Sequence, residues 1–307
     1  MRLASLGTEV RVLMRIVVFT LFFLTTVPIQ ADVRVDRRAE SFINVTISGE
    51  ITERDAKTFA SLSRDLEYKL AFIALDSVGG SFSSAMQIGR LIRKYEVTVT
   101  VNEHAKCYSS CVLIFIAGVY RQSLGQIGLH RPFFAAAPQS REAIENQVPL
   151  MLSALKRYVT EMGITDNFYQ QMVNTEPSKV AIYNGRDIQN LVPEADPTFE
   201  EIQIAYQARR YGVTTSEMRL RHKDMDNCEK LVFPDNLNCM GAAAWGLSPR
   251  VYVERYKKVS RECWFAENKM ESEEDVAALF AVPRKAREDH PITIRRETCE
   301  RDIMLGR

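Results

Sequence analysis

The chain has 307 residues, of which 46% are hydrophobic and 26% are charged, which is the composition of an ordinary globular protein. Its 40 basic and 39 acidic residues give a formal net charge of +1, so charge provides no argument for a nucleic acid or another polyanion as partner. The length suits one large domain with an appendage, or two smaller domains.

The first 31 residues have the pattern of a secretory signal peptide. Arg11 and Arg15 precede a 12-residue apolar run over 16–27, and Ala31 supplies a small residue at a plausible cleavage site. The run is shorter than the roughly 20 apolar residues that span a membrane, so an uncleaved anchor is the less favoured alternative. We therefore predict a signal peptide over 1–31 and a periplasmic or secreted mature protein.

Export changes how the six cysteines are interpreted, because thiols outside the cytosol are usually oxidised. Six cysteines allow 15 pairings. Proximity along the sequence suggests two disulfides, Cys107 with Cys111 and Cys228 with Cys239, and Cys263 and Cys299 would then be left over for a third.

The first predicted elements after the signal are a strand and a helix. β-Branched residues over 41–51 predict a strand that ends near Gly49. Residues 52–68 are typical of a helix, with Thr52 as its N-cap and Asp55 in its first turn.

A second strand and helix follow. The continuously apolar stretch 70–75 predicts a strand buried on both faces, which residues 76–80 are expected to break. Apolar residues at helical spacing over 81–95 predict a helix, and alternation over 97–101 predicts another strand.

The next segment is the most unusual in the chain. In residues 106–118, two cysteines bracket two serines, and an apolar run that predicts a buried helix follows at once. Two short strands are expected over 120–124 and 126–130. A long amphipathic helix is predicted over 140–162, in which Pro149 should produce a kink or move the start of the helix later.

Strand and helix alternate about every 30 residues, which predicts an α/β fold with parallel crossover connections. Residues 193–197 contain two prolines and are predicted to be a linker. Residues 40–195 would then form the α/β domain. Residues 196–307 would form a smaller, mainly helical, cysteine-containing region whose role the sequence does not indicate.

Three segments could carry chemistry. The glycines within 78–80 could leave backbone N–H groups facing outward at a helix N-terminus, although such a pair is often only a turn. Ser109 and Ser110 precede an apolar helix, where serine is either an exposed nucleophile or an N-cap. His130 ends a short strand and could act as the general base, although a single histidine is usually structural.

The order and spacing of these segments resemble those in the proteolytic subunit of Clp protease and its relatives in the Clp-protease/crotonase superfamily. The resemblance is closest to exported, Clp-protease-like proteins of bacteria, which often carry a Cys-x-Ser-x-Cys-like serine motif, and it covers roughly residues 43–193. The matching segments are Val45-Thr-Ile-Ser-Gly-Glu-Ile51, Ala74-Leu-Asp-Ser-Val-Gly-Gly80, Cys107-Tyr-Ser-Ser-Cys111 with Ile116-Ala-Gly118, and Leu129-His-Arg-Pro132.

The resemblance implies a spiral of strand-strand-helix units and a role for four residues. Ser109 falls on the family's nucleophile and His130 on its general base, while Gly79 and Ser110 would contribute the N–H groups that stabilise the oxyanion. The implied substrate is a peptide or an unfolded protein, with no cofactor and no metal. An ATPase partner is not expected, because ATP-driven unfoldases work in the cytosol.

This sequence departs from the family at several positions. Val78 replaces the proline before Gly-Gly, Cys111 replaces a glycine, and the spacing from Ser109 to His130 is a few residues shorter. A tighter hairpin would explain the shorter spacing.

The third member of the family's triad has no obvious counterpart. The place of its aspartate falls near Ser178 or Lys179, and neither can orient an imidazole as a carboxylate does. Glu176 is the nearest acid, and Asp166 and Asp187 are more distant candidates. Losing the orienting acid of a serine protease can cost about 10⁴-fold in rate.

Several alternatives stay open at this point. The chain could be a catalytically inactive binding or scaffold protein that keeps the fold. An acyl-CoA enzyme of the crotonase type is less favoured, since coenzyme A is cytosolic. A metal site at His104, Cys107 and Cys111 would have only three ligands. The helix over 140–162 matches a family helix that packs between subunits, so it predicts a homo-oligomer or else the core-facing helix of a monomer.

Overall fold

The computed structural model describes residues 32–39, 41–134, 140–264 and 273–307. The predicted signal peptide over 1–31 lies outside these residues. Within the described part of the chain, no helix is both long enough and apolar enough to cross a membrane.

Eight strands of the described residues form one mixed sheet in an α/β fold. The strands are β1 (Asp32–Arg38), β2 (Phe42–Ile51), β3 (Leu70–Gly80), β4 (Thr98–Val101), β5 (Lys106–Tyr108), β6 (Tyr120–Ser123), β7 (Gln126–Leu129) and β8 (Ala181–Asn184). The main order is β1-β2-β3-β5-β7-β8. β3 also pairs with β4, which in turn pairs with β6, so the sheet branches at β3. The outer pairs β1–β2 and β7–β8 are antiparallel, and the others are parallel as predicted.

Helices connect the strands and build the C-terminal region. Those of the α/β part are α1 (Glu53–Ser61), α2 (Ser63–Tyr68), α3 (Phe82–Lys94), α4 (Cys111–Ala117), α5 (Arg141–Glu161) and α6 (Asp166–Asn174). The later ones are α7 (Pro197–Tyr211), α8 (Thr215–Cys228), α9 (Asp235–Trp245), α10 (Pro249–Val259), α11 (Glu273–Phe280) and α12 (Pro291–Leu305).

The prediction for β3 was wrong in two respects. The strand is not broken by residues 76–80 but continues through them to Gly80, because its neighbour β2 pairs with it along its length. It is also buried on one face only, since Leu70 and Phe72 are 48% and 44% exposed. An unbroken apolar run therefore belongs here to a strand with one open face.

Helix boundaries agree with the capping signals. Thr52 is the N-cap of α1, and it forms a capping box with Asp55. The predicted helix over 52–68 is divided at Leu62 into α1 and α2. Pro149 lies inside α5 and does not move the start of that helix, which begins at Arg141.

The short helix α4 forms the centre of the core. All seven of its residues are buried, which explains the apolar run after the two serines. The C-terminal half of α5 packs against it, and Tyr158 donates a 2.7 Å hydrogen bond to the carbonyl oxygen of Leu113. The first half of α5 instead exposes Ile144 and Leu150. The core therefore fixes the end of α4 that follows the serines.

The C-terminal region is helical, and the predicted disulfides are confirmed. The structure contains the bridges Cys107–Cys111, Cys228–Cys239 and Cys263–Cys299. These bridges fit an oxidising environment.

The predicted linker packs against the α/β part. The N–H of Asp196 donates to the carbonyl oxygen of Val119 at 2.8 Å, and the N–H of Arg121 donates to that of Glu194 at 2.7 Å. Backbone hydrogen bonds therefore fix this segment to β6 and to the residue that precedes this strand.

Candidate active site

Ser109 lies in the turn that joins β5 to the buried helix α4. Its φ is +56°, in the left-handed region that residues with a β-carbon seldom adopt. Its N–H donates to the carbonyl oxygen of Gly128 at 2.9 Å, which ties the turn to β7. Strained positions of this kind cluster at active sites, because the surrounding structure must hold them in place.

The strand end at Gly79 packs directly under this turn. A β-carbon on Gly79 would lie 2.7 Å from the Ser109 β-carbon and 2.8 Å from the carbonyl oxygen of Tyr108. The φ of Gly79 is +100°, so both its conformation and its surroundings require glycine. The Gly-Gly pair is therefore more than a turn, since it allows β3 to approach the serine.

The disulfide Cys107–Cys111 closes the loop around Ser109. Cys107 lies in β5 and Cys111 is the first residue of α4, and both are fully buried with their Cα atoms 5.2 Å apart. The bridge thus joins the strand that enters the turn to the helix that leaves it.

The serine hydroxyls do not cap the helix. Ser110 occupies the N-cap position of α4, but its side chain makes no capping hydrogen bond. Its Oγ is buried without a partner among the described residues. The half-buried Ser109 faces a cavity instead. The alternative that these serines are only a cap therefore has no support in the structure.

A cavity of about 900 Å³ opens beside this turn, which is large enough for a small molecule or a peptide segment. Ser109 and His130 both line it. Most of its other walls are apolar, and they include Ile51, Val78, Phe82, Met86, Phe133 and Met172. Glu50 is the single acidic residue among the described residues that line the cavity.

His130 follows β7 and is 6% exposed. Its Nδ1 lies 2.9 Å from the carbonyl oxygen of Arg131, and the ring of Phe133 lies against the imidazole with the ring centres 5.7 Å apart. The hydrogen bonds of the described residues include none between His130 and Ser109. Such bonds are often long in an enzyme without substrate and shorten in the reacting complex.

The two expected oxyanion donors differ in availability. The Ser110 N–H has no acceptor among the described backbone atoms, as expected at a helix N-terminus. The Gly79 N–H donates instead to the buried Ser77 Oγ at 3.1 Å. The Ser77 hydroxyl itself donates to the carbonyl oxygen of Gly49, so it is fixed between two strands.

None of the candidate third members contacts His130 through a hydrogen bond in the described part of the chain. Glu176 is exposed and forms an ion pair with Lys179 at 3.1 Å. Asp166 is bound by Lys156, and this hydrogen bond lowers the pKa of Asp166. Asp187 is exposed in the turn after β8.

The far end of α4 is held by a buried cluster of ions. Arg93 and Arg121 both donate to the carbonyl oxygen of Ile116, and Arg93 pairs with Asp196 at 2.8 Å. Burial, together with the nearby charge of Arg93, lowers the pKa of Arg121 to about 10, which still leaves it charged at neutral pH. Burial alone would raise the pKa of Asp196, but the Phe199 N–H and the two arginines outweigh it and lower that pKa.

The described residues contain no group of three or more His, Cys, Asp or Glu side chains that could hold a metal. The alternative of a site at His104, Cys107 and Cys111 also conflicts with the disulfide, which removes both thiolates.

Two features of the site were not predicted from the sequence. One is Ser77, which holds the Gly79 N–H; serine after an apolar strand carries no signal of that role. The other is the apolar wall formed by Met86 of α3, Met151 of α5 and Met172 of α6. These methionines fit ordinary helical patterns, so only the packing of three helices reveals that they share a cavity.

The sequence was compared with models of known protein families and with curated proteins. No family model matches the chain. No curated protein matches it either.

Proposed function

We propose that the protein is an exported serine hydrolase, an ATP-independent peptidase with the Clp-protease/crotonase-like fold over residues 40–195. One observation carries the proposal: Ser109 is held at φ +56° on the wall of an apolar cavity that His130 also lines. The sequence resemblance and the parallel core of the sheet support the same conclusion. The three disulfides support export.

In this proposal the Ser109 Oγ attacks the carbonyl carbon of a peptide bond, and His130 Nε2 accepts the hydroxyl proton. The negative charge that develops on the substrate oxygen is stabilised by the Ser110 N–H. The Gly79 N–H becomes the second donor when it gives up its hydrogen bond to Ser77 Oγ and donates to the oxyanion instead. His130 then gives the proton to the leaving amine, and water hydrolyses the acyl-serine with His130 again acting as base.

The substrate of this proposal is a short peptide or an already unfolded protein with an apolar side chain near the cleaved bond. The apolar walls of the cavity favour such side chains, because their burial removes them from water. We also propose a homo-oligomer formed through α5, whose first half exposes Ile144 and Leu150. Neither an ATPase nor a nucleic acid belongs to the proposal.

A second candidate function is binding of apolar peptides without catalysis. It is favoured by the hydrogen bond that occupies the Gly79 N–H and by the lack of a hydrogen-bonded carboxylate at His130 among the described residues. The two functions share one cavity and differ only in whether Ser109 reacts.

Hydrolysis of fluorogenic apolar peptides without ATP tests the proposal. We expect release of the fluorophore by the oxidised protein, and its loss in Ser109→Ala and His130→Ala. Ser63→Ala and His104→Ala, whose side chains lie outside the cavity, are the matched controls that keep activity. A folded protein that binds these peptides and hydrolyses none of them would favour the binding function.

A further inference from the structure

The imidazole of His130 has one polar partner among the described residues, and this partner is a main-chain atom. Its Nδ1 lies 2.9 Å from the carbonyl oxygen of Arg131. We infer that this carbonyl takes the place of the missing carboxylate and is the group that positions His130 for proton transfer. The inference rests on the proposed function.

The chemistry of the contact fixes the proton positions on the ring. A carbonyl oxygen only accepts hydrogen bonds, so a bond at 2.9 Å requires the proton to be on Nδ1. In the neutral ring, Nε2 then carries the lone pair. A general base for Ser109 needs this tautomer, and the aspartate of a serine-protease triad selects it in the same way.

The surrounding chain holds the carbonyl in position. The N–H of Arg131 donates to the carbonyl oxygen of Thr175 at 2.8 Å, which holds the peptide group that precedes Arg131. Pro132 follows, and a residue before proline is confined to extended conformations, so the direction of the Arg131 carbonyl is restricted. The Phe133 ring lies beside the imidazole, with the ring centres 5.7 Å apart.

A carbonyl differs from a carboxylate in one respect that affects the rate. It orients the ring and selects the tautomer, but it carries no net charge to stabilise the imidazolium that forms when Ser109 loses its proton. We therefore expect a hydrolase with correct geometry and a lower rate than a complete triad provides.

Nitrogen NMR of the ring tests the inference directly. Protein labelled with ¹⁵N-histidine would be measured as the pH is raised until the ring signals no longer change, so that the neutral ring is observed. Comparison with His130→Ala assigns the signal. We expect one protonated nitrogen, Nδ1, and one unprotonated nitrogen, Nε2. A proton on Nε2, or two nitrogens averaged as in free imidazole, would overturn the inference.

A second measurement tests the rival carboxylates. The rate of reaction with a fluorophosphonate probe should change by less than about twofold in Glu176→Gln, Asp166→Asn and Asp187→Asn. A loss in a folded variant that approaches the roughly 10⁴-fold effect of removing a triad acid would identify that acid as the positioning group and overturn the inference.

The two proposals fail in different ways. If the NMR signal shows the Nδ1–H tautomer but the wild type neither reacts with the probe nor hydrolyses peptides, the positioning contact stands and the hydrolase proposal fails. If the protein is active and the tautomer is the opposite one, the hydrolase proposal stands and the role of the Arg131 carbonyl is refuted.

Discussion

Gly79 lies so close to Ser109 that a β-carbon added to the glycine would be 2.7 Å from the serine β-carbon. Gly79→Ala must therefore displace the turn that carries the nucleophile. We expect the rate of fluorophosphonate labelling to fall by about 100-fold, as misplacement of a reacting group by about 1 Å can cause.

Gly185→Ala is the control for this substitution. Gly185 also has a positive φ, of +52°, but the nearest atom to a β-carbon there is 4.0 Å away. It should lose about 1 kcal/mol of stability from backbone strain and keep its labelling rate. Equal labelling of the two variants would show that the contact between Gly79 and Ser109 has no role in reactivity.

The Cys107–Cys111 bridge is predicted to matter more for reactivity than for stability. It closes a loop of only four residues, for which the chain-entropy relation gives about 2 kcal/mol. Replacing both cysteines with alanine should therefore leave the protein folded but reduce labelling of Ser109 at least tenfold, because the turn loses its covalent closure. Chemical unfolding and probe labelling measured on the same samples separate the two effects.

The Cys263–Cys299 bridge provides the opposite case. It spans 36 residues, and the same relation gives about 4 kcal/mol. Its removal should lower stability more and labelling less. If labelling instead follows stability in both double variants, the bridge beside Ser109 has no specific role.

Asp196 is predicted to couple stability to acid pH. Its pKa is lower in the folded state than in the unfolded chain, so its ionised form stabilises the fold above the unfolded pKa of about 3.9. This contribution is lost as the pH falls through the folded pKa.

The matched variant is Asp196→Asn, since asparagine can still cap α7. At pH 7 we expect a loss of about 3 kcal/mol in the free energy of unfolding, because Arg93 loses its partner and Arg121 loses the nearby negative charge. Urea unfolding at several pH values should show this difference shrinking below about pH 4. A difference that stays constant with pH would contradict the assigned role.

Glu50 should give the cavity a preference for positive charge. Its carboxylate has no ion-pair partner among the described residues, and it lies beside Gly80 next to the expected reaction centre. Of two peptides that share the apolar residue at the cleaved bond and differ by one lysine-to-methionine change at a neighbouring position, the lysine peptide should react about threefold faster, the effect of a partly exposed ion pair. Glu50→Gln should abolish this ratio, and Glu50→Lys should reverse it. A ratio that survives Glu50→Gln would assign the preference to another group.

Local signals in the sequence predicted much of the architecture. Alternating strands and helices predicted parallel pairing, Thr52 predicted the start of α1, and short separations predicted two disulfides, which left Cys263 and Cys299 for the third. β1, β5 and β8 were not predicted as strands, and β5 has only three residues. These strands depend on partners that are distant in the chain, such as the antiparallel pairing of β8 with β7, and local composition does not encode such pairing.

The candidate site could be predicted where a backbone constraint requires a particular residue type. Glycine at 79 and the cysteines around Ser109 are such residues, and the structure brings Gly79, Ser109 and His130 to the wall of one cavity. The hydrogen bond from Gly79 to Ser77 and the contact of His130 with a main-chain carbonyl could not be predicted. Both depend on the exact direction of a backbone atom, for which no residue type is specific.

The most direct test of the central claim is to treat the oxidised protein with a fluorophosphonate and to identify the modified residue by peptide mass mapping. We predict a single adduct on Ser109, absent from Ser109→Ala and strongly reduced in His130→Ala. A correctly folded protein that forms no adduct, or an adduct on a serine outside the cavity, would contradict the assignment of Ser109 as a nucleophile.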